Sequence, residues 1–138
     1  MTSPTSSDDT SVEVAADADV VRVRQLARDL AVAAKLSLVD QTKLVTATSE
    51  LARNTLVYGG GGVVTARMID RRGLAGVEVV FTDDGPGITD VDLALTDGWT
   101  SGSGMGLGLS GAKRLVDEFE LDTEPGRGTR VRVVKWRR

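Results

Sequence analysis

Apolar residues recur along this chain with two different periods, and the switches between them divide it into elements. Ser11-Val12-Glu13-Val14-Ala15 alternates at period two and predicts a short first strand, at a sheet edge because it is short. Val20, Val21, Val23, Leu26, Leu30, Ala33 and Ala34 then follow helical spacing, with Asp17 or Asp19 available as N-cap, and predict a helix over about 19–35. Leu36-Ser37-Leu38 interrupts this pattern. From Asp40 it resumes, with Leu44, Val45, Ala47, Thr48, Leu51, Ala52, Thr55 and Leu56 along one broad face of a second helix. That helix is expected to stop near Val57 or Tyr58, because the run Gly59-Gly60-Gly61-Gly62 cannot hold a helix and can supply a left-handed C-cap.

Val63 to Asp70 and Leu74 to Thr82 return to period two around the turn Arg71-Arg72-Gly73, with Val64, Ala66 and Met68 on one face of the first strand and Val77, Val79 and Phe81 on one face of the second. Residues 83–105 are rich in Gly, Asp, Thr and Ser, broken by Val91, Leu93 and Leu95, and predict a long loop of the kind that serves as a lid or binding segment. Leu107, Leu109, Ala112, Leu115, Val116 and Phe119 mark a third helix. Leu121-Asp122-Thr123 and Thr129 to Trp136 are expected strands around Pro125-Gly126-Arg127-Gly128. Strands joined by turns this short pair antiparallel. The expected fold class is therefore α/β in the α+β sense, a two-layer sandwich with helices on one face of a mixed, mostly antiparallel sheet. Residues 1–11 are too polar to offset their ordering entropy and are expected to form a disordered tail, which leaves 12–138 as one domain.

Composition narrows the chemistry. With no cysteine and no histidine in 138 residues, thiolate metal sites, cysteine nucleophiles, histidine bases and phosphohistidine intermediates are excluded within the chain. A formal net charge of -3 argues against a nucleic-acid partner. The basic C-terminal residues Arg127, Arg130, Arg132, Lys135, Arg137 and Arg138 alternate with Val131, Val133 and Val134, as a strand with a solvated basic face would. No signal segment and no apolar run near the ~20 residues of a membrane helix is present, so the expectation is a soluble cytoplasmic protein.

Three short segments carry the candidate chemistry. Glu50 and Asn54 lie four apart on the second helix and so share a face, where a carboxylate and an amide oxygen can approach one hydrated divalent cation; an ordinary solvated helix face would look the same. Asp83 ends an apolar strand and can accept the exocyclic amine of a base, while Gly85 and Gly87 allow close backbone approach to a flat ring; a strand-ending turn also favours these residues. Gly104, Gly106 and Gly108 alternate just before a helix and can cradle an anion with their amides, or serve as a linker; neither a P-loop nor a dinucleotide fingerprint is present.

In this order the three segments resemble the N, G1 and G2 boxes of the Bergerat-type ATP-binding fold shared by gyrase, the Hsp90 chaperone, histidine kinases and MutL, the GHKL superfamily. The resemblance covers about residues 12–136. Within it, the small size and the lack of histidine make the chain similar to the bacterial anti-sigma-factor and switch-protein serine/threonine kinases. Ser49-Glu50-Leu51-Ala52-Arg53-Asn54, Asp97-Gly98-Trp99-Thr100-Ser101, Gly111-Ala112-Lys113-Arg114-Leu115-Val116-Asp117-Glu118-Phe119 and Val134-Lys135-Trp136 carry that likeness, which points to the stressosome switch kinases.

The resemblance implies that ATP and Mg2+ are bound, with Asn54 on the metal, Asp83 on adenine, Gly85 and Gly87 shaping the base pocket, and Gly104, Gly106 and Gly108 around the triphosphate. The Thr129 hydroxyl matches the position that supports the adenine-recognising Asp, and Glu50 the general base for a serine or threonine hydroxyl. Geometry supports that last role, since phosphoryl transfer depends mainly on positioning and charge neutralisation, for which one carboxylate beside the metal ligand suffices. Arg53 suits either phosphate or a surface ion pair. No Lys or Arg occurs between Arg72 and Lys113, so Thr100, Ser101, Ser103, backbone amides or Lys113 must meet the γ-phosphate. The implied substrate is a STAS-domain antagonist protein, and the implied second partner a PP2C-type phosphatase. The alternatives are an anti-sigma factor that sequesters a sigma factor, and an ATP-sensing adaptor without transfer activity.

Overall fold

The computed structural model describes residues 9–88 and 108–138. In chain order these form β1 (Thr10–Val14), α1 (Asp17–Ala33), α2 (Leu38–Val57), β2 (Gly62–Arg71), β3 (Leu74–Asp83), α3 (Gly108–Leu115), β4 (Glu118–Glu124) and β5 (Gly128–Trp136). The strands make one five-stranded sheet in the order β1-β2-β3-β5-β4. Each neighbouring pair is antiparallel, so the expected mostly antiparallel sheet is antiparallel throughout the described residues. β1 is an edge strand as expected, and it begins at Thr10, one residue before the alternation at Ser11, and ends at Val14.

One face of the sheet packs against the helices. Val64 and Ala66 from β2, Val77, Val79 and Phe81 from β3, and Val131 and Val133 from β5 meet Val20, Val23, Ala27 and Ala31 of α1 and Leu44, Ala47, Leu51 and Ala52 of α2 in a single core. Each buried Val, Leu or Phe among them contributes about 1.5–3 kcal/mol, and each alanine methyl less. The helix starts differ from expectation. Ala16 occupies the N-cap of α1, and Asp19, three residues on, accepts from the amides of Ala15 and Ala16. In α2, Ser37 is the cap, its hydroxyl accepting from the amide of Asp40, so the helix begins before Asp40.

Two more boundaries move. The helix expected to run to Phe119 ends at Leu115, and Phe119 sits in β4 opposite Val133, with Leu121 opposite Val131. Phe119 and Leu121 are two apart and face the core along a strand; helical spacing from Leu115 to Phe119 was coincidental. The β2–β3 hairpin turns on two residues, Arg72 and Gly73, both left-handed (φ 57 and 84), as the twist of a tight hairpin requires.

The other face of the sheet carries an ionic network. Glu78 is buried there between Arg67 at 2.8 Å and Arg132 at 2.6 Å, and Arg132 also meets Glu118 and Glu120. Trp136 donates its indole N–H to Glu118 at 2.7 Å, and the Arg71 guanidinium lies 4.6 Å from the centre of its ring. Lys135 departs from the expected solvated basic face. It points to the helix side, is 4% exposed, and lies 3.5 Å from Asp40 and 3.4 Å from Asp117. No helix among the described residues is long and apolar enough to cross a membrane.

Candidate functional site

α2 and β3 start at one end of the core, where Asp40 meets Lys135 opposite Val77, and run to the other, where Gly62 just after α2 pairs with Asp83. Eight buried positions on α2 fix which side faces the sheet, and that leaves Glu50 and Asn54 half-buried at its margin with Arg53 exposed beside them. Four residues along a helix is about 6 Å of rise, so the two functional groups lie one turn apart. Beyond the C-cap residue Tyr58 the chain reaches Gly59, whose amide still bonds to the carbonyl of Asn54 at 3.2 Å.

Gly59 is packed directly on the side chain of Asp83. A β-carbon there would collide with the Asp83 carboxylate, coming within 2.7 Å of Oδ2. Gly85 closes the same contact from the far side, its own missing β-carbon lying 2.7 Å from the Gly59 α-carbon, and its amide donates to Asp83 Oδ1 at 2.8 Å. The glycines after α2 and the glycine after β3 thus form two walls of one cradle around a carboxylate. Sequence reasoning read Gly59 only as a helix stop. The signal was present in the length of the run, since one glycine suffices to cap a helix.

Burial raises the Asp83 carboxyl above the ordinary aspartate range; amide hydrogen bonds from Gly85 and Thr129 oppose the rise, and the neighbouring Asp84 charge adds to it. A half-buried carboxylate that accepts two amides still has lone pairs to spare, and little water competes for them, so it is a strong acceptor for an N–H of a ligand. The donor set and the bare glycine walls suit a planar base bearing an amino group.

Thr129 faces Asp83 directly across the β3–β5 ladder. Its backbone N–H, rather than the expected hydroxyl, supports the Asp83 carboxylate. The hydroxyl bonds instead to Thr123 Oγ1 at 2.9 Å. A β-carbon on Gly87, whose φ is 74, would overlap the Glu124 carbonyl and lie 3.2 Å from the Pro125 α-carbon, so only a glycine fits where the segment after Asp83 meets the β4–β5 turn. The Gly126 amide, donating to the Pro86 carbonyl at 2.6 Å, adds to that lock.

Of the glycines proposed to wrap phosphate, Gly108 is described: it is buried, left-handed (φ 66), and opens α3, which packs along α2. Gly104 and Gly106, with Thr100, Ser101 and Ser103, lie outside the described residues. Lys113 is exposed on α3. The structure therefore gathers Gly59, Gly85 and Thr129 around Asp83, places Gly87 on the β4–β5 turn, and puts Glu50 and Asn54 on the helix that leads into Gly59.

Known proteins resemble this chain in sequence and fold. Residues 39–138 fit the family model described as histidine kinase-, DNA gyrase B-, and HSP90-like ATPase. The chain is 40% identical over 131 residues to the serine/threonine-protein kinase RsbT of Bacillus subtilis (strain 168), covering 95% of this chain and 98% of that one. It is 30% identical to the anti-sigma F factor of Thermoanaerobacter sp. (strain X514), covering 66% of each. Among solved structures, that of the RsbU and RsbW domains of Rv1364c from Mycobacterium tuberculosis superposes with a TM-score of 0.62 at 20% identity, over 95% of this chain and 33% of that one, a likeness of fold. With its α+β sandwich, its Asp83 cradle and a family match across 39–138, this chain belongs to the histidine kinase-, DNA gyrase B- and HSP90-like ATPases.

Proposed function

We propose that this chain is an ATP-dependent protein serine/threonine kinase of a partner-switching module, acting on a STAS-domain antagonist protein. The observation that carries the reading is the Asp83 carboxylate held between Gly59 and Gly85 at the end of the helix that bears Glu50 and Asn54. The extent of the likeness to a protein named serine/threonine kinase supports it.

In this reading Asp83 accepts the adenine amine, Gly85 and Gly87 bound the base, and Gly108 with Gly104 and Gly106 supplies amides to the phosphates. Asn54 would hold Mg2+ through its amide oxygen, and the metal when bound would supply positive charge against the phosphates. Glu50 takes the proton of the acceptor hydroxyl as its oxygen bonds to the γ-phosphorus and the bond to the β-bridging oxygen breaks, leaving ADP and a phosphoserine or phosphothreonine. Once released from its antagonist, the kinase activates a PP2C-type phosphatase. The anti-sigma F factor relatives favour a second reading, in which the released chain sequesters a sigma factor.

Incubation with γ-labelled ATP and STAS-domain proteins tests the activity. Label on a serine or threonine of the antagonist is the expected result, with slow ATP hydrolysis in its absence. ATP binding without transfer to any antagonist would favour a nucleotide-sensing adaptor. Pull-down with a PP2C-type phosphatase against a sigma factor separates the two partner readings.

A further inference from the structure

Asp83, Thr129 and Thr123 form a row across β3, β5 and β4 on the helix-facing side of the sheet, each opposite the next in register. Thr123 Oγ1 has three partners: the Ile88 amide at 2.9 Å, the Gly128 carbonyl at 3.0 Å and the Thr129 hydroxyl at 2.9 Å. A hydroxyl has one proton and two lone pairs. The Ile88 amide can only donate and the Gly128 carbonyl can only accept. The arrangement that satisfies all three sends the Thr123 proton to Gly128 and receives protons from Ile88 and from Thr129.

That assignment spends the single proton of Thr129. Its oxygen then presents only lone pairs, beside a carboxylate that also presents only lone pairs. Two acceptors side by side on one edge suit a group with two hydrogens on one atom. They repel a carbonyl.

We propose that Thr123, through Thr129, is the residue that makes this edge of the pocket selective for a purine bearing an exocyclic amine over one bearing a keto oxygen or no substituent there. The proposal rests on the reading of Asp83 as the base-recognising group. Thr123 touches no ligand in this account; it is a positioning residue that fixes the polarity of its neighbour. The second amine hydrogen reaches the Thr129 oxygen directly or through one water.

The test is a titration calorimetry comparison of ATP with the triphosphate of unsubstituted purine riboside and with GTP, on the whole chain. Thr123→Val, which removes the hydroxyl and keeps the shape, should lower the preference for ATP over the purine analogue by about 3- to 10-fold, the worth of one neutral hydrogen bond. Thr123→Ser should restore it. Thr129→Val should produce the same loss while keeping the Thr123 bond to Ile88, so the result does not depend on the Thr123 variant folding well. A merely structural role for Thr123 would weaken all three nucleotides alike. Unchanged preference in folded Thr123→Val, or in Thr129→Val, overturns the proposal. Asp83→Asn identifies which idea has failed: if it weakens ATP while both threonine variants leave the preference intact, this proposal alone falls; if it leaves ATP affinity unchanged, the base-site reading falls as well.

Discussion

Gly59 lies against the Asp83 carboxylate so closely that a β-carbon on the glycine would overlap the aspartate side chain. The end of α2 and the end of β3 are thereby joined at the candidate base site. Gly59→Ala has no left-handed backbone to oppose it, so its whole effect falls on Asp83, whose short side chain is held by the Gly85 amide and has nowhere to yield. Overpacking of this kind costs about 1–3 kcal/mol. The expected result is a lower melting temperature and ATP affinity reduced about tenfold or more, measured by calorimetric titration.

Asp83→Asn should separate stability from binding. The folded protein raises the Asp83 carboxyl, chiefly by burial, so it favours the protonated form. The sign follows: this group's contribution to stability is fully present below the ordinary aspartate range and is lost as pH rises through the raised folded value. At neutral pH the ionised carboxylate is a cost to the ligand-free fold. Asparagine keeps an oxygen for the Gly85 amide and removes the charge, so the melting temperature at pH 7 should rise relative to the native protein, and not at pH 3, while ATP affinity falls. Unaltered ATP affinity would reject Asp83 as the base-recognising group.

Much of this site was legible because it is local. Helical period placed Glu50 and Asn54 together, and the end of an apolar strand picked out Asp83. What was not legible depends on register between strands distant in sequence. Thr123 looked like any strand residue until β4 was aligned on β5, and Lys135 read as one of several solvated cations because basic and apolar residues alternate around it. Val133-Val134 breaks that alternation, and the break puts Val134 on the outer face and Lys135 within.

Lys135 bridges the first turn of α2 and the start of β4 through Asp40 and Asp117. Lys135→Met would leave the carboxylate of Asp40, a residue only 6% exposed, without its cation, a loss of about 3–5 kcal/mol. Asp117 loses less, since it still accepts from the Trp136 amide and from Arg138. Adding Asp40→Leu removes the orphaned charge and should recover at least half of the loss, by urea unfolding. A double variant no more stable than the single would mean that the pair is not energetically coupled.

Glu78 gives the outer face its acid sensitivity. Burial alone would raise its carboxyl, but hydrogen bonds from Arg132 and Arg67 outweigh it and hold the group below the ordinary glutamate range. A depressed carboxyl contributes stability that is present above that range and lost as pH falls through the lowered folded value. Glu78→Gln should therefore destabilise the protein by about 1–3 kcal/mol at pH 7 and by much less near pH 3, read from melts across that interval. Equal destabilisation at both ends would point to packing instead of charge.

Glu50→Gln tests the chemistry most directly. Glutamine matches the size and planarity of glutamate and keeps a hydrogen-bonding oxygen, so the half-buried margin of α2 keeps its shape. Asp83 and the glycine walls are separate from it, and ATP affinity should stay within about twofold. What glutamine cannot do at neutral pH is take a proton from an incoming hydroxyl. General-base catalysis contributes about 10²–10⁴ in rate, so transfer to the antagonist should fall by at least a hundredfold in kcat at unchanged ATP affinity. Transfer at a near-normal rate would remove Glu50 from the role of base and leave positioning and charge neutralisation to account for the reaction.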